Sequence, residues 1–235
     1  MRLEELFKNL GYLAGTIGAQ IRKDGCEGVP LEDLDLTGEP PHEVALMGPA
    51  QVVLSEGDVF RAAVEAGPRS SEVLFSVQDG TLGVSGGEPA TIVRLTLPAP
   101  RKLVLAGSGR LTAAKLARDG TISIAGSGKL EIADVDGGRL KVSIAGSGRL
   151  AVDGEADALD LSIAGSGSCD GEGLTVAKAA VHIAGSGDAI FTCNGDVAAH
   201  LMGSGNVIVR GSARCSIHSI GSGTVTCKRE KDSKN

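Results

Sequence analysis

LVLAGSGRL (103–111), ISIAGSGKL (122–130), VSIAGSGRL (142–150), LSIAGSGSC (161–169), VHIAGSGDA (181–189), AHLMGSGNV (199–207) and IHSIGSGTV (217–225) are seven versions of one nine-residue phrase. Their first glycines, at 107, 126, 146, 165, 185, 203 and 221, are separated by steps of 19, 20, 19, 20, 18 and 18 residues. A fixed period of this size is the signature of a solenoid, with one coil per repeat. Aligned on the first glycine, the positions two and four before it hold Leu105, Ile124, Ile144, Ile163, Ile183, Leu201 and Ser219, and Leu103, Ile122, Val142, Leu161, Val181, Ala199 and Ile217. Four and six after it stand Leu111, Leu130, Leu150, Cys169, Ala189, Val207 and Val225, and Ala113, Ile132, Val152, Gly171, Phe191, Val209 and Cys227. Apolar residues at period two, with polar residues between them, are strands with one face inward.

The expected fold is therefore all-β: a single-stranded parallel β-helix of about 18–20 residues per coil, of right-handed sense, with neighbouring coils about 4.8 Å apart. Gly-Ser-Gly is its corner, because glycine reaches positive φ without penalty and serine bonds nearby backbone. Bulk composition agrees. With 35 glycines, four Phe, one Tyr and no Trp, the core has to be thin and aliphatic.

Working outward, residues 31–97 carry short alternating segments between turn signals. Glu43 to Met47, Gln51 to Leu54, Val59 to Val64, Val73 to Val77 and Thr91 to Leu97 read as strands, and Ser85-Gly86-Gly87 as a decayed corner. Before them, Leu3, Leu6, Phe7, Leu10, Leu13, Ile17 and Ile21 recur at helical spacing. Residues 1–25 are thus expected as an amphipathic α-helix capping the open end of the solenoid, with membrane contact through residues 2–22 as its other reading. Residues 26–227 form the β-helix and 228–235 a charged tail.

At this point the chain resembles the auto-transporter adhesin head domain, or head GIN domain, over roughly residues 42 to 227. Val52-Val53-Leu54-Ser55-Glu56-Gly57-Asp58-Val59-Phe60 is similar to the family's opening, Asp79-Gly80-Thr81-Leu82 and Leu95-Thr96-Leu97-Pro98 to its middle, and the serial Gly-Ser-Gly units to its hallmark. The resemblance implies a parallel β-helix, commonly exported, with no established enzymatic activity.

The net charge of −6 argues against a general nucleic-acid binder. Five cysteines without a CxxC pair read as buried free thiols of a reducing compartment. No secretory signal opens the sequence as written, so the expected location is the cytoplasm.

Three outward columns bear on chemistry. Three residues before the corner stand Val104, Ser123, Ser143, Ser162, His182, His200 and His218. The three histidines are expected to stack on consecutive coils, where they would share Zn, Ni or Cu or form a polar ladder. If all were charged, neighbours would repel by about 0.8 kcal/mol even in water, so neutral imidazole is favoured. Just after the corner, Arg110, Lys129 and Arg149 followed by Ser168, Asp188, Asn206 and Thr224 form a charge gradient suited to an acidic polymer. The corner serines recur in seven equivalent copies, which marks turn residues rather than nucleophiles, and Gly-Ser-Gly lacks the lysine of a phosphate loop.

No catalytic constellation emerges, so the expected function is a non-enzymatic binding or scaffold module whose repetitive faces contact a polymer, a protein or, as a homo-oligomer, itself. The alternatives are a cytoplasmic structural polymer of bactofilin-like type, joined through Thr224 to Cys227, and a carbohydrate-active β-helix enzyme.

Overall fold

A computed structural model describes residues 28–65 and 70–228. The amphipathic segment of residues 1–25 lies outside them. Among the described residues the chain is nearly all strand, with two short 3-10 turns and no α-helix.

The columns predicted from the repeat are real. Val142 pairs in register with Ile122 on one side and Leu161 on the other, and Ile144 with Ile124 and Ile163. Val181, Ala199 and Ile217 continue the first column, and Ile183, Leu201 and Ser219 the second. This wall turns at Gly-Ser-Gly into a second wall, in which Leu111, Leu130 and Leu150 stack, followed by Cys169, Ala189, Val207 and Val225. A third, looser side brings in Leu116, Val135, Leu174, Val176 and Cys193. Ile124, Ile144 and Ile163 are 2%, 0% and 1% exposed, so the inward face is sealed. Each such side chain contributes about 1.5–3 kcal/mol by burial.

The corner is held by backbone. Ser147 donates its N–H to the Gly126 carbonyl oxygen at 2.9 Å, and Ser166 repeats this to Gly146. Gly146 sits at φ +109°, and a Cβ there would lie 2.6 Å from the Gly126 oxygen. Gly148 is glycine for a different reason: a Cβ would lie 2.4 Å from Cγ2 of the buried Ile124. The decayed corner also stacks. Met47 pairs with both Ser85 and Ala106, which sets Gly48 and Gly86, both at positive φ, in the Gly107 column.

The amino-terminal coils depart from the expected simple winding. Glu43–Met47 lies between Thr81–Ser85 and Lys102–Gly107, and Gln51–Glu56 between Ile92–Leu97 and Arg110–Ala113. The chain thus winds one coil, drops back beneath it, then passes over it to continue. Two strands are antiparallel, which corrects the purely parallel expectation: Leu74–Gln78 folds back on Thr81–Ser85, and Arg61–Val64 on Ile92–Leu97. The first is a hairpin whose turn residues Asp79 and Gly80 both have positive φ. Val29 and Phe75 exchange two 2.8 Å backbone bonds outside it, and Leu31, Leu34 and Leu36 pack on the core. These elements close the amino-terminal end of the stack, the task expected of residues 1–25.

The carboxy-terminal coil differs from expectation in its cysteines. Cys215 and Cys227 occupy inward positions on opposite walls of the last coil and form a disulfide, with Cα atoms 6.8 Å apart. Cys169 and Cys193 are free and buried as expected, and Cys26 lies outside the described residues. Lys228, expected in the charged tail, ends the strand Thr224–Lys228, and residues 229–235 lie outside the described residues.

Two stability measurements check this picture. Gly146→Val should lose about 3 kcal/mol in a denaturant titration, from a disfavoured φ and backbone overlap, whereas Ser147→Ala, at an exposed side chain, should stay within about 0.5 kcal/mol. Equal midpoints for the two variants would contradict the corner assignment. Cys215→Ser with Cys227→Ser should lower stability by about 2–3 kcal/mol, since a twelve-residue separation is bridged.

Candidate functional site

Outward side chains of the first wall form columns of their own. One runs Lys141, Asp160, Ala180, Ala198 and Ser216, and the next Ser143, Ser162, His182, His200 and His218. A third, at the start of these strands, runs Arg139, Ala158, then Lys178, and ends with Asp196 and Arg214. Where long side chains give way to Ala158, Ala180 and Ala198, the surface sinks into a groove of about 490 Å³. Charged residues border it. Arg139 reaches Asp160 at 3.3 Å and Arg214 reaches Asp196 at 2.9 Å, while Lys178 forms no ion pair among the described residues. The groove therefore carries three cationic groups against two carboxylates, at intervals set by the coil rise of about 4.8 Å. Its rim pairs are exposed, so they contribute little to stability and leave their hydrogen-bonding groups open to a ligand.

The histidine ladder lies beside this groove and stacks as its spacing requires. The His182 and His200 rings are face to face, with centroids 5.1 Å apart and planes within 8°. The His218 ring follows at 5.9 Å, tilted by 52°. Face-to-face stacking bears on the metal reading of His182, His200 and His218. Imidazole lone pairs lie in the ring plane, so stacked rings hold them side by side instead of aiming them at one ion. Among the described residues no three His, Cys, Asp or Glu side chains are placed around a common metal position. Nδ1 of His182 is buried and without a hydrogen-bond partner. Burial, and secondarily the neighbouring His200, push the His182 pKa below the usual histidine value, against a smaller opposing pull from Asp160.

The basic edge of the second wall is also in register. Arg110, Lys129 and Arg149 stack on three consecutive coils. Lys129 is paired with Glu131, and this bond holds the Glu131 carboxyl below the usual range. Further along, Asn206 Nδ2 donates to Asp188 at 3.0 Å and Thr224 Oγ1 donates to Asn206 Oδ1 at 2.7 Å, so the polar residues of this edge are zipped together.

The free thiols are not poised for chemistry. Burial, with a smaller contribution from Asp170, pushes Cys169 up to about 12, and burial also raises Cys193. A nucleophilic cysteine needs the reverse.

Sequence reading found the histidine and basic columns but not the groove. The signal was present as absence of bulk: small residues at 158, 180 and 198 in outward positions, between charged neighbours. It also missed the disulfide, although Cys215 and Cys227 both fall on inward columns of one coil.

A β-solenoid closed by antiparallel strands, with a grooved, polar outer face, defines a repetitive surface-presenting module. A family model described as "Putative auto-transporter adhesin, head GIN domain" matches residues 40–213, and the chain belongs to this family. Solved structures share the fold. A "putative adhesin" from Bacteroides fragilis is 18% identical, with a TM-score of 0.74 over 81% of this chain and 93% of its own. A "putative lipid binding protein" from Parabacteroides distasonis is 20% identical, with a TM-score of 0.62 over 82% and 94%. A "putative adhesin" from Parabacteroides merdae is 20% identical, with a TM-score of 0.63 over the same shares. No curated protein matches the chain.

The lowered His182 pKa fixes the sign of a pH effect. The unfolded chain binds the proton more readily than the fold does, so this contribution is complete above the unfolded value near 6.5 and is lost on acidification below it. The melting temperature should therefore drop between pH 7.5 and pH 5.5, and His182→Gln should shrink that drop. An unchanged drop in the variant would show that His182 does not carry it.

Proposed function

We propose that this protein is a non-enzymatic, adhesin-type binding module that lays a linear polymer along the groove of its first wall. The observation that carries this reading is the groove itself, with a floor of alanines and a border of charged groups repeating at the coil rise. A polymer running along the solenoid axis meets Arg139, Lys178 and Arg214 as donors and Asp160 and Asp196 as acceptors. That combination suits a glycan chain bearing hydroxyl and acidic groups. The two carboxylates are engaged with arginines, and the free thiols are buried, which favours recognition over catalysis. Family membership supports the same reading.

The working environment we propose is an oxidising one, outside the cytoplasm, in place of the cytoplasmic location expected from the amino-terminal sequence. A disulfide between Cys215 and Cys227 persists where thiols are not kept reduced, and adhesion requires surface exposure.

A glycan array probed with the wild-type chain should give binders among linear acidic glycans. For those binders Lys178→Ala should weaken binding about tenfold, the loss of one charge-assisted bond. Ala180→Phe, which fills the groove floor, should abolish it. Binding that survives both changes would move the site elsewhere. Cell fractionation with alkylation under non-reducing conditions should recover the protein outside the cytoplasm with Cys215 and Cys227 blocked.

A further inference from the structure

The two ends of the stack are unlike. At the amino-terminal end the stack finishes in two antiparallel strands, Arg61–Val64 and Leu74–Gln78, and the Val29–Phe75 bridge flanks the second. At the other end, Arg214–Gly221 pairs with Asp196–Gly203 on one side only, and among the described residues no strand lies beyond it. Arg214 donates its N–H to Gly195 at 2.9 Å, so the backbone groups of Arg214 face the coil below. By strand alternation those of Cys215, Ile217 and Ser219 face outward along the open edge. Three donors and three acceptors thus lie in a row, ready to accept another strand. Apolar side chains gather there as well. Ile217, on an inward column, is 49% exposed. Met202 and Ile220 are 43% and 59% exposed, in the column that five coils below fill with alanine.

We propose that this edge pairs with the same edge of a second copy, antiparallel across a twofold axis, to give a closed dimer. The edge is self-complementary. With the axis through Ile217, the residue numbers of opposed positions sum to 434. Ile217 then meets its own mate in a reciprocal hydrogen-bonded pair, Cys215 meets Ser219, Ser216 meets His218 and Arg214 meets Ile220. Inward residues oppose inward residues, so the core of one copy continues into the other. No like charges face each other, and Arg214 is already held by Asp196. The disulfide ties the two walls of this coil together, which presents the edge in a fixed geometry. A contact across a twofold axis uses the same edge of both copies, so it closes at the dimer and does not propagate into a filament of stacked coils.

Sedimentation velocity of the whole oxidised chain tests this. The expected species has twice the 23.7 kDa chain mass. Ile220→Lys, which changes an outward side chain and spares the core, should shift it to monomer, as should Ile217→Lys. Hydrogen exchange gives a second readout that needs no variant. The amides of Cys215, Ile217 and Ser219 should exchange more slowly as concentration rises. A wild-type monomer at every concentration, an open series of larger species, or a dimer in which those three amides exchange freely would each overturn the proposal.

Discussion

The N–H of Ser127, Ser147, Ser166, Ser186 and Ser204 reaches the carbonyl of the glycine one coil below, and that contact fixes how closely successive coils approach. At Gly146 an added methyl group would overlap the Gly126 oxygen, so the backbone, not a side chain, sets the spacing there. Once the corners are stacked, equivalent strands cannot slip relative to one another. A slip of one residue would turn every inward Ile or Leu to solvent. Glycine at the corner and aliphatic residues in the columns are therefore two parts of one constraint.

A thin aliphatic core has a cost at its ends. In a solenoid each coil is sealed by its neighbours, and the terminal coils lack one. This chain closes the two ends differently. The amino-terminal coils are covered by antiparallel strands and the leucines of residues 31–36. The last coil is crossed by a disulfide between its walls, which holds it shut without covering its edge. Antiparallel strands at one end and a parallel, disulfide-tied coil at the other give the molecule a polarity that the internal repeat lacks.

Function is separated from folding by the alternation of the strands. Inward columns stay apolar through the repeats except at Gly171 and Ser219, whereas outward columns drift from serine to histidine, from lysine and aspartate to alanine, and from alanine to methionine and isoleucine. The drift concentrates on the carboxy-terminal half, where the groove, the stacked imidazoles and the exposed edge lie within a few coils of one another. A scaffold that tolerates any outward residue can accumulate a binding face without loss of core packing.

Periodicity alone determined the coil length, the two main walls, the inward columns from Leu103 to Val225 and the stacking of His182, His200 and His218, because each is a local rule repeated at fixed spacing. The amino-terminal half was legible only as strands. The placement of Glu43–Met47 between a later strand and a still later one depends on pairing between distant segments, which no local pattern encodes. The same holds for the Cys215–Cys227 bond, whose partners are opposed only after the coil has closed, and for the groove, which exists because Ala180 and Ala198 are paired in register and Ala158 lies diagonally to them on the coil below. Ring orientation, too, was decided in three dimensions. The sequence brought the imidazoles to adjacent coils, but packing laid His182 and His200 face to face.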